Sequence, residues 1–170
     1  MNKDYKLVSI KDIQQKSALK KFNCDVDTLN EFLSRYALKN DKIGIGKTFV
    51  ALDNQEKIVG YFTLATAQVG YQEIPEDYRG KLPKYPIPAL RIARLAIDKE
   101  LQGKGIGRWL LAQAFIKIVQ VADVTGIYFI VVDAKETSKA FYEHYGFIKF
   151  NDEELTYFIL VDTVRKAIQG

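Results

Sequence analysis

Residues 95–108 read LAIDKELQGKGIGR, an apolar stretch that runs through glycines at 103, 105 and 107 into residues with helical spacing. Glycine has no Cβ, so successive backbone N–H groups can turn inward there, and the helix that follows adds the positive end of its dipole. This makes an anion cradle suited to a pyrophosphate. The third glycine stands one place early for the dinucleotide fingerprint G-x-G-x-x-G, so that chemistry is set aside. A second glycine run, KIGIGKT at residues 42–48, fails the Walker spacing because position 41 is Asp. Its order is also reversed, with a helix before and a strand after, and it reads as a flexible connector.

The remaining reactive types are sparse. Cys24 and His144 are each the only residue of their kind, which excludes an internal disulfide, a thiolate cluster and a paired-imidazole zinc site. No G-x-S-x-G is present. Any chemistry is therefore expected to proceed without a metal or a nucleophilic triad. The net charge of +4 is compatible with an anionic partner and equally with an ordinary solvated surface. With 170 residues, 48% of them hydrophobic, a single globular domain over residues 1–170 is expected. There is no apolar run of about 18 residues and no signal-peptide middle near the N-terminus, so membrane transport is excluded and a cytoplasmic protein is expected.

The cradle needs a strand to deliver it and a helix behind it. Residues 89–97 have strand character, and a helix from Gly105 repeats Leu110, Ala114, Ile118 and Val121 before ending near Gly126. The apolar run 127–132 reads as a strand buried on both faces, as in a parallel pair, which completes a β-α-β unit. Upstream, residues 5–10 read as a strand and 12–20 as a short helix. Asp27 or Thr28 is placed to cap a helix whose Leu29, Phe32, Leu33 and Tyr36 share a face. Residues 48–52 and 58–69 are β-rich and meet at Asp53 and Asn54, a hairpin signal. Residues 71–88 carry all four prolines and read as a long surface loop. A helix over 136–144 stopped by Gly146, then strands at 147–150 and 155–161, finish a mixed α/β sheet.

Two of these stretches together resemble the GNAT acetyltransferases. Gln102-Gly103-Lys104-Gly105-Ile106-Gly107 matches the family's Q/R-x-x-G-x-G/A acetyl-CoA loop in its strand-loop-helix setting. Ala140-Phe141-Tyr142-Glu143-His144-Tyr145-Gly146-Phe147 resembles its late helix and turn, F-Y-x-x-x-G-F. The chain is more narrowly similar to the GNAT toxins encoded with ribbon-helix-helix antitoxins. Phe22-Asn23-Cys24, Leu29-Asn30-Glu31-Phe32-Leu33 and Tyr36-Ala37-Leu38-Lys39-Asn40 resemble that subgroup's N-terminal helices. Thr48-Phe49-Val50, Gly60-Tyr61-Phe62-Thr63-Leu64, Ala93-Arg94-Leu95-Ala96-Ile97-Asp98 and Val132-Asp133-Ala134-Lys135 extend the likeness. Lys135 and Ser138 depart from it, standing where many members have Asn and Ala.

The resemblance implies a GNAT-like α/β fold: a mixed, mostly antiparallel sheet flanked by helices, with a splayed parallel strand pair forming the acetyl-CoA cleft. Acetyl-CoA is then the cosubstrate and no metal is needed. Its pantetheine amides would pair with the backbone of Leu95, Ala96 and Ile97 as an added strand. Gln102, Gly103, Lys104, Gly105, Ile106, Gly107 and Arg108 would hold the pyrophosphate, with Asp133, Ser138 and Phe141 as further cofactor contacts. A backbone N–H near Ala96 or Ile97 would polarise the thioester carbonyl. Tyr142, a phenol with an ordinary pKa of about 10, would act as general acid towards the leaving thiolate. His144, the rival, points away by about 200° two residues along the helix. No general base stands out. An α-amine acceptor, with an ordinary pKa of about 8, is partly neutral without one.

The leading functional expectation is therefore toxin-like acetylation of the α-amine of aminoacyl-tRNA; Lys16, Lys20, Lys21, Arg35, Lys39, Lys42 and Lys47 read either as an RNA-facing patch or as a solvated helix face. One alternative keeps the chemistry and changes the acceptor to a small amine or a protein amine. Another is a non-catalytic CoA- or RNA-binding module. Expected partners are an aminoacyl-tRNA substrate, a ribbon-helix-helix antitoxin and a second copy of the chain in a homodimer. Trp109 is expected to pack.

Overall fold

The turn that follows Asp53 sets the first hairpin. In the computed structural model, which describes residues 4–151 and 154–170, the Asp53 carboxylate accepts the N–H groups of Gln55 at 2.8 Å and Lys57 at 2.9 Å. This Asx turn joins strand β2 (Lys47–Leu52) to β3 (Ile58–Val69), with Leu52 opposite Ile58. The hairpin signal at Asp53 and Asn54 holds. Strand β1 (Lys6–Ser9) pairs antiparallel with β2 on its other edge. The outer ends of the expected domain, residues 1–3, and positions 152–153 lie outside the described residues.

Four further strands follow: β4 (Ile87–Ile97), β5 (Phe129–Asp133), β6 (Ile148–Lys149) and β7 (Thr156–Leu160). The sheet order is β1-β2-β3-β4-β5-β7-β6, mostly antiparallel, with β4 and β5 parallel. The expected mixed α/β architecture is therefore present. The helices are α1 (Ala18–Lys21), α2 (Asp27–Glu31), α3 (Ala37–Ile43), α4 (Ile106–Ala122), α5 (Lys139–His144) and α6 (Val161–Gln169). One π-helical turn, Phe32–Tyr36, links α2 to α3. Among the described residues no helix is long and apolar enough to cross a membrane.

The chain forms two compact units. The first holds the residues up to Ala65 together with Ala93–Ala114. Its core gathers Leu19, Phe22, Phe32, Leu33, Val50, Leu52, Ile58, Tyr61 and Ala96. Tyr61 is fully buried, its ring centroid 5.5 Å from that of Phe22 in a T-shaped contact, and its hydroxyl donates to the Leu29 carbonyl at 2.7 Å. The second holds Thr66–Ile92 and Phe115–Gly170, around Val69, Ile74, Ile87, Phe129, Val131, Phe150 and Phe158. All four residues Phe129 to Val132 are buried, so the continuous apolar run is what a strand covered on both faces requires.

Several local expectations are corrected. Residues 12–20 do not form one helix: a single 3-10 turn at Ile10–Asp12 is followed by α1, because the exposed run Gln14 to Ser17 offers no apolar face. Neither Asp27 nor Thr28 caps α2. Its cap is Val26, and Asp27 sits in the first turn, where a carboxylate favours the dipole. Residues 71–88 are only partly loop. Two 3-10 turns, Tyr71–Glu73 and Glu76–Tyr78, flank a fully buried Ile74, whose carbonyl receives the Arg79 Nε–H at 2.9 Å. The closing strand ends at Leu160, and α6, which was not anticipated, begins at Val161.

Gly60 shows how tightly the first unit is built. A Cβ there would lie 2.9 Å from the Ala96 carbonyl oxygen, 3.1 Å from Ile97 Cδ1 and 3.2 Å from Leu110 Cδ2. Gly60→Val is therefore expected to destabilise the protein by about 1–3 kcal/mol through overpacking. Urea unfolding checks this, and a midpoint equal to wild type would refute it.

Candidate active site

In the first unit, β4 ends at Ile97 and the chain is bent at once into the glycine loop. Asp98 makes the bend: it is 5% exposed, its side chain accepts the Glu100 N–H at 3.0 Å, and Lys57 stands 3.8 Å away as its ion-pair partner. The Asp98 N–H bonds to the Val59 carbonyl and the Lys99 N–H to that of Asn23, at 3.0 and 2.9 Å. Gln102 then braces the turn from its side chain. Its Nε2 donates to the carbonyls of Cys24 at 3.2 Å and Ile97 at 3.0 Å, so both side-chain donors are committed to the loop and none is left for a ligand.

Gly103 and Gly105 have φ of +77° and +86°, left-handed values that a side chain resists. With Lys104 between them, their N–H groups make no hydrogen bond to another described residue. Those of Ile106, Gly107 and Arg108 belong to the first turn of the 17-residue helix α4, where donors lack intrahelical acceptors. Lys104 and Arg108 are exposed and have no carboxylate partner among the described residues. The sequence-predicted cradle is thus a row of unpaired donors with two cations at its rim, which fits a pyrophosphate. Ile106 is 3% exposed and contributes its backbone only. Ala96 is buried, while Leu95 and Ile97 are half-buried.

Sequence reasoning passed over Arg94, whose guanidinium sits 3.5 Å from the Phe32 ring centroid and ties β4 to the π-helical turn. Trp109 packs, half-buried, against Tyr5 at 5.8 Å. The lysines at 16, 20, 21, 39 and 42 are exposed without ion-pair partners among the described residues. Arg35 pairs with Glu31 and Lys47 with the buried Asp41.

In the second unit, the parallel register of β4 with β5 runs from Ala89↔Phe129 to Ile92↔Val132 and ends there, although β4 continues to Ile97. Asp133, the last residue of β5, is held by the Arg91 guanidinium. The Ser138 hydroxyl is also committed, accepting the Lys135 N–H at 2.9 Å and donating to the Lys135 carbonyl at 3.3 Å. That bridge closes a turn over residues 135–138, so α5 starts at Lys139 and not at 136. The bridge is a consequence of the Ser138 hydroxyl, since residue 135 contributes only its backbone.

Tyr142 lies in α5 at 6% exposure, in T-shaped contact with Phe141 and Phe147, the ring centroids 5.3 and 5.4 Å apart. Burial pushes the phenol well above its ordinary pKa, with no charged neighbour contributing. Its hydroxyl bonds to no other described residue, yet no buried side-chain oxygen among them lacks a partner. It follows that this oxygen is open to solvent while the ring is not. A neutral donor at the end of an apolar shaft is suited to protonating a thiolate. Phe141 is half-buried between the rings of Tyr142 and Tyr145, and His144 is exposed at the helix end.

Comparison with known proteins bears on the family of the whole chain. An acetyltransferase (GNAT) domain model matches residues 10–161. The chain is 32% identical to a tRNA-acetylating toxin of Mycobacterium tuberculosis, over 86% of this chain and 88% of the relative. It is similar to the solved structure of AtaT complexed with acetyl-methionyl-tRNAfMet, with a TM-score of 0.87, 26% identity and coverage of 97% and 99% of the two chains. It is likewise similar to AtaTR bound with AcCoA, at a TM-score of 0.82 and 26% identity, covering 97% and 98%. The match over residues 10–161 and the identity along most of both chains show the family: the chain belongs to the GNAT acetyltransferases.

Proposed function

We propose that this protein transfers the acetyl group of acetyl-CoA to the α-amine of aminoacyl-tRNA, acting as the toxin of a cytoplasmic toxin–antitoxin pair. The observation that carries the proposal is the 32% identity, along most of both chains, to a tRNA-acetylating toxin. The structure of AtaT with acetyl-methionyl-tRNAfMet supports the same acceptor. A ribbon-helix-helix antitoxin and a homodimer complete the reading, with residues 1–170 working as one catalytic domain.

Residues 103–108 supply donors to the pyrophosphate, and the backbone of Leu95 to Ile97 pairs with the pantetheine arm. The acceptor nitrogen attacks the thioester carbonyl carbon, whose oxygen gathers negative charge and is stabilised by the N–H of Ala96 or Ile97. The C–S bond then breaks. The CoA sulfur takes the Tyr142 hydroxyl proton, and the proton lost by the nitrogen restores the phenol, leaving an amide and free CoA thiol. The unpaired lysines at 16, 20, 21, 39 and 42 attract the RNA backbone, which makes the reaction salt-sensitive.

The test supplies labelled acetyl-CoA with charged tRNA, uncharged tRNA, free amino acids and a protein lysine substrate. Label confined to charged tRNA, with transfer weakening as salt rises, is the expected result. Label on free amines irrespective of RNA would replace the acceptor. CoA binding without thiol release towards any acceptor would mark a non-catalytic module.

A further inference from the structure

We infer that Asn30 is a positioning residue for the acetyl-CoA loop, acting through Asn23, Cys24 and Gln102; the inference rests on reading residues 103–108 as the pyrophosphate cradle. Asn30 lies in α2, and no part of it touches the cradle directly. Its Oδ1 accepts the Cys24 N–H at 2.9 Å, and its Nδ2 donates to Asn23 Oδ1 at 3.0 Å. The same Asn23 oxygen accepts the Asp25 N–H at 2.8 Å. These three bonds hold a turn in which Asp25 has φ +66°, a left-handed value uncommon for non-glycine residues and best tolerated by Asn and Asp.

The purpose of that turn shows in its two carbonyls. Asn23 O receives the Lys99 N–H at 2.9 Å, and Cys24 O receives Gln102 Nε2 at 3.2 Å. The segment joining β4 to the cradle is thus pinned at Lys99 and again at Gln102. Beyond Gln102 no pin exists, because the N–H groups of residues 103–105 bond to nothing among the described residues. Their direction is inherited from Gln102 on one side and α4 on the other. Removing Asn30 frees the 23–25 turn and lets the cradle donors spread. The ordering cost then falls on binding the pyrophosphate. The bond-making step and the pantetheine arm, which uses the backbone of β4, are spared.

The test compares acetyl-CoA with S-acetylpantetheine, which carries the same thioester and lacks the pyrophosphate. For Asn30→Ala, KM for acetyl-CoA should rise about tenfold, with kcat unchanged to within about a factor of two. Its kcat/KM for S-acetylpantetheine should match wild type. Asn30→Asp, which keeps the bond to the Cys24 N–H, should fall between Asn30→Ala and wild type. Equal loss towards both thioesters would reveal a merely structural residue and overturn the inference, as would no loss towards either. If Asn30→Ala does not fold, Gln102→Glu, which sets an acceptor against the same two carbonyls, makes the same comparison with α2 intact. A wild-type protein that uses the two thioesters equally well would overturn the cradle reading itself. Wild-type preference for acetyl-CoA retained in full by the variants would overturn only the role of Asn30.

Discussion

Tyr142→Phe lowers kcat for acetyl transfer by about 10²–10⁴-fold, the usual worth of a positioned general acid. The substitution isolates the proton because it removes only the hydroxyl. The ring contacts with Phe141 and Phe147 are kept, so the variant folds as wild type does. That hydroxyl has no partner among the described residues to leave stranded, so thermal stability should not fall. KM for acetyl-CoA should stay within about a factor of two, since the lost interaction belongs to the transition state. The pH profile gives an independent reading of the same group. Burial raises the Tyr142 pKa above its ordinary value, so the proton-bearing form persists as pH rises to at least about 10. The rate should therefore climb as the acceptor amine loses its proton and then level off, with no descending limb below about pH 10. Thiol release followed across pH measures both limbs. Activity lost in His144→Ala and kept in Tyr142→Phe would transfer the role to the imidazole.

The glycine loop and helix α5 were legible as local structure because their signals are local. Left-handed backbone at Gly103 and Gly105 needs glycine, and the spacing of Tyr142 from Gly146 marks a helix and its stop within a few residues. The β3 boundaries were equally local: a turn-forming Asp53 on one side, the end of a β-rich run at Val69 on the other. What escaped depends on partners remote in the chain. Asp133 reads as a free carboxylate at a strand end until Arg91, forty-two residues earlier, is seen to hold it. Gln102 reads as part of a ligand motif until its amide is found on the carbonyl of Cys24, seventy-eight residues away. Helix α6 was missed for a different reason. Its buried side is only Val161 and Val164, with Ile168 exposed, and two valines after an apolar strand read equally well as more strand. The toxin-like segment around Asn23 and Asn30 was recognisable as a likeness, but residue types alone do not reveal that the two side chains bond to each other.

Gly105→Asp should reduce kcat/KM for acetyl-CoA by at least about 10²-fold, and the size of that loss separates backbone geometry from charge. At φ +86° an L-residue pays roughly 1–2 kcal/mol, so Gly105→Ala alone should cost about a factor of ten. Nothing lies within 4 Å of a Cβ at this position, so neither variant meets a steric barrier to folding. The carboxylate adds repulsion against the pyrophosphate in a cradle whose donors are otherwise unopposed, and it competes for Lys104 and Arg108 at the rim. That extra loss is electrostatic and should shrink as salt shortens the Debye length from about 10 Å at 0.1 M towards 3 Å at 1 M. The loss shared by Gly105→Ala should not shrink. With S-acetylpantetheine both variants should approach wild type, because no anion is then presented to the loop. Equal losses for Ala and Asp at low salt would mean that the loop shapes the site without holding the pyrophosphate, and the N–H groups of residues 103–105 would then need another ligand.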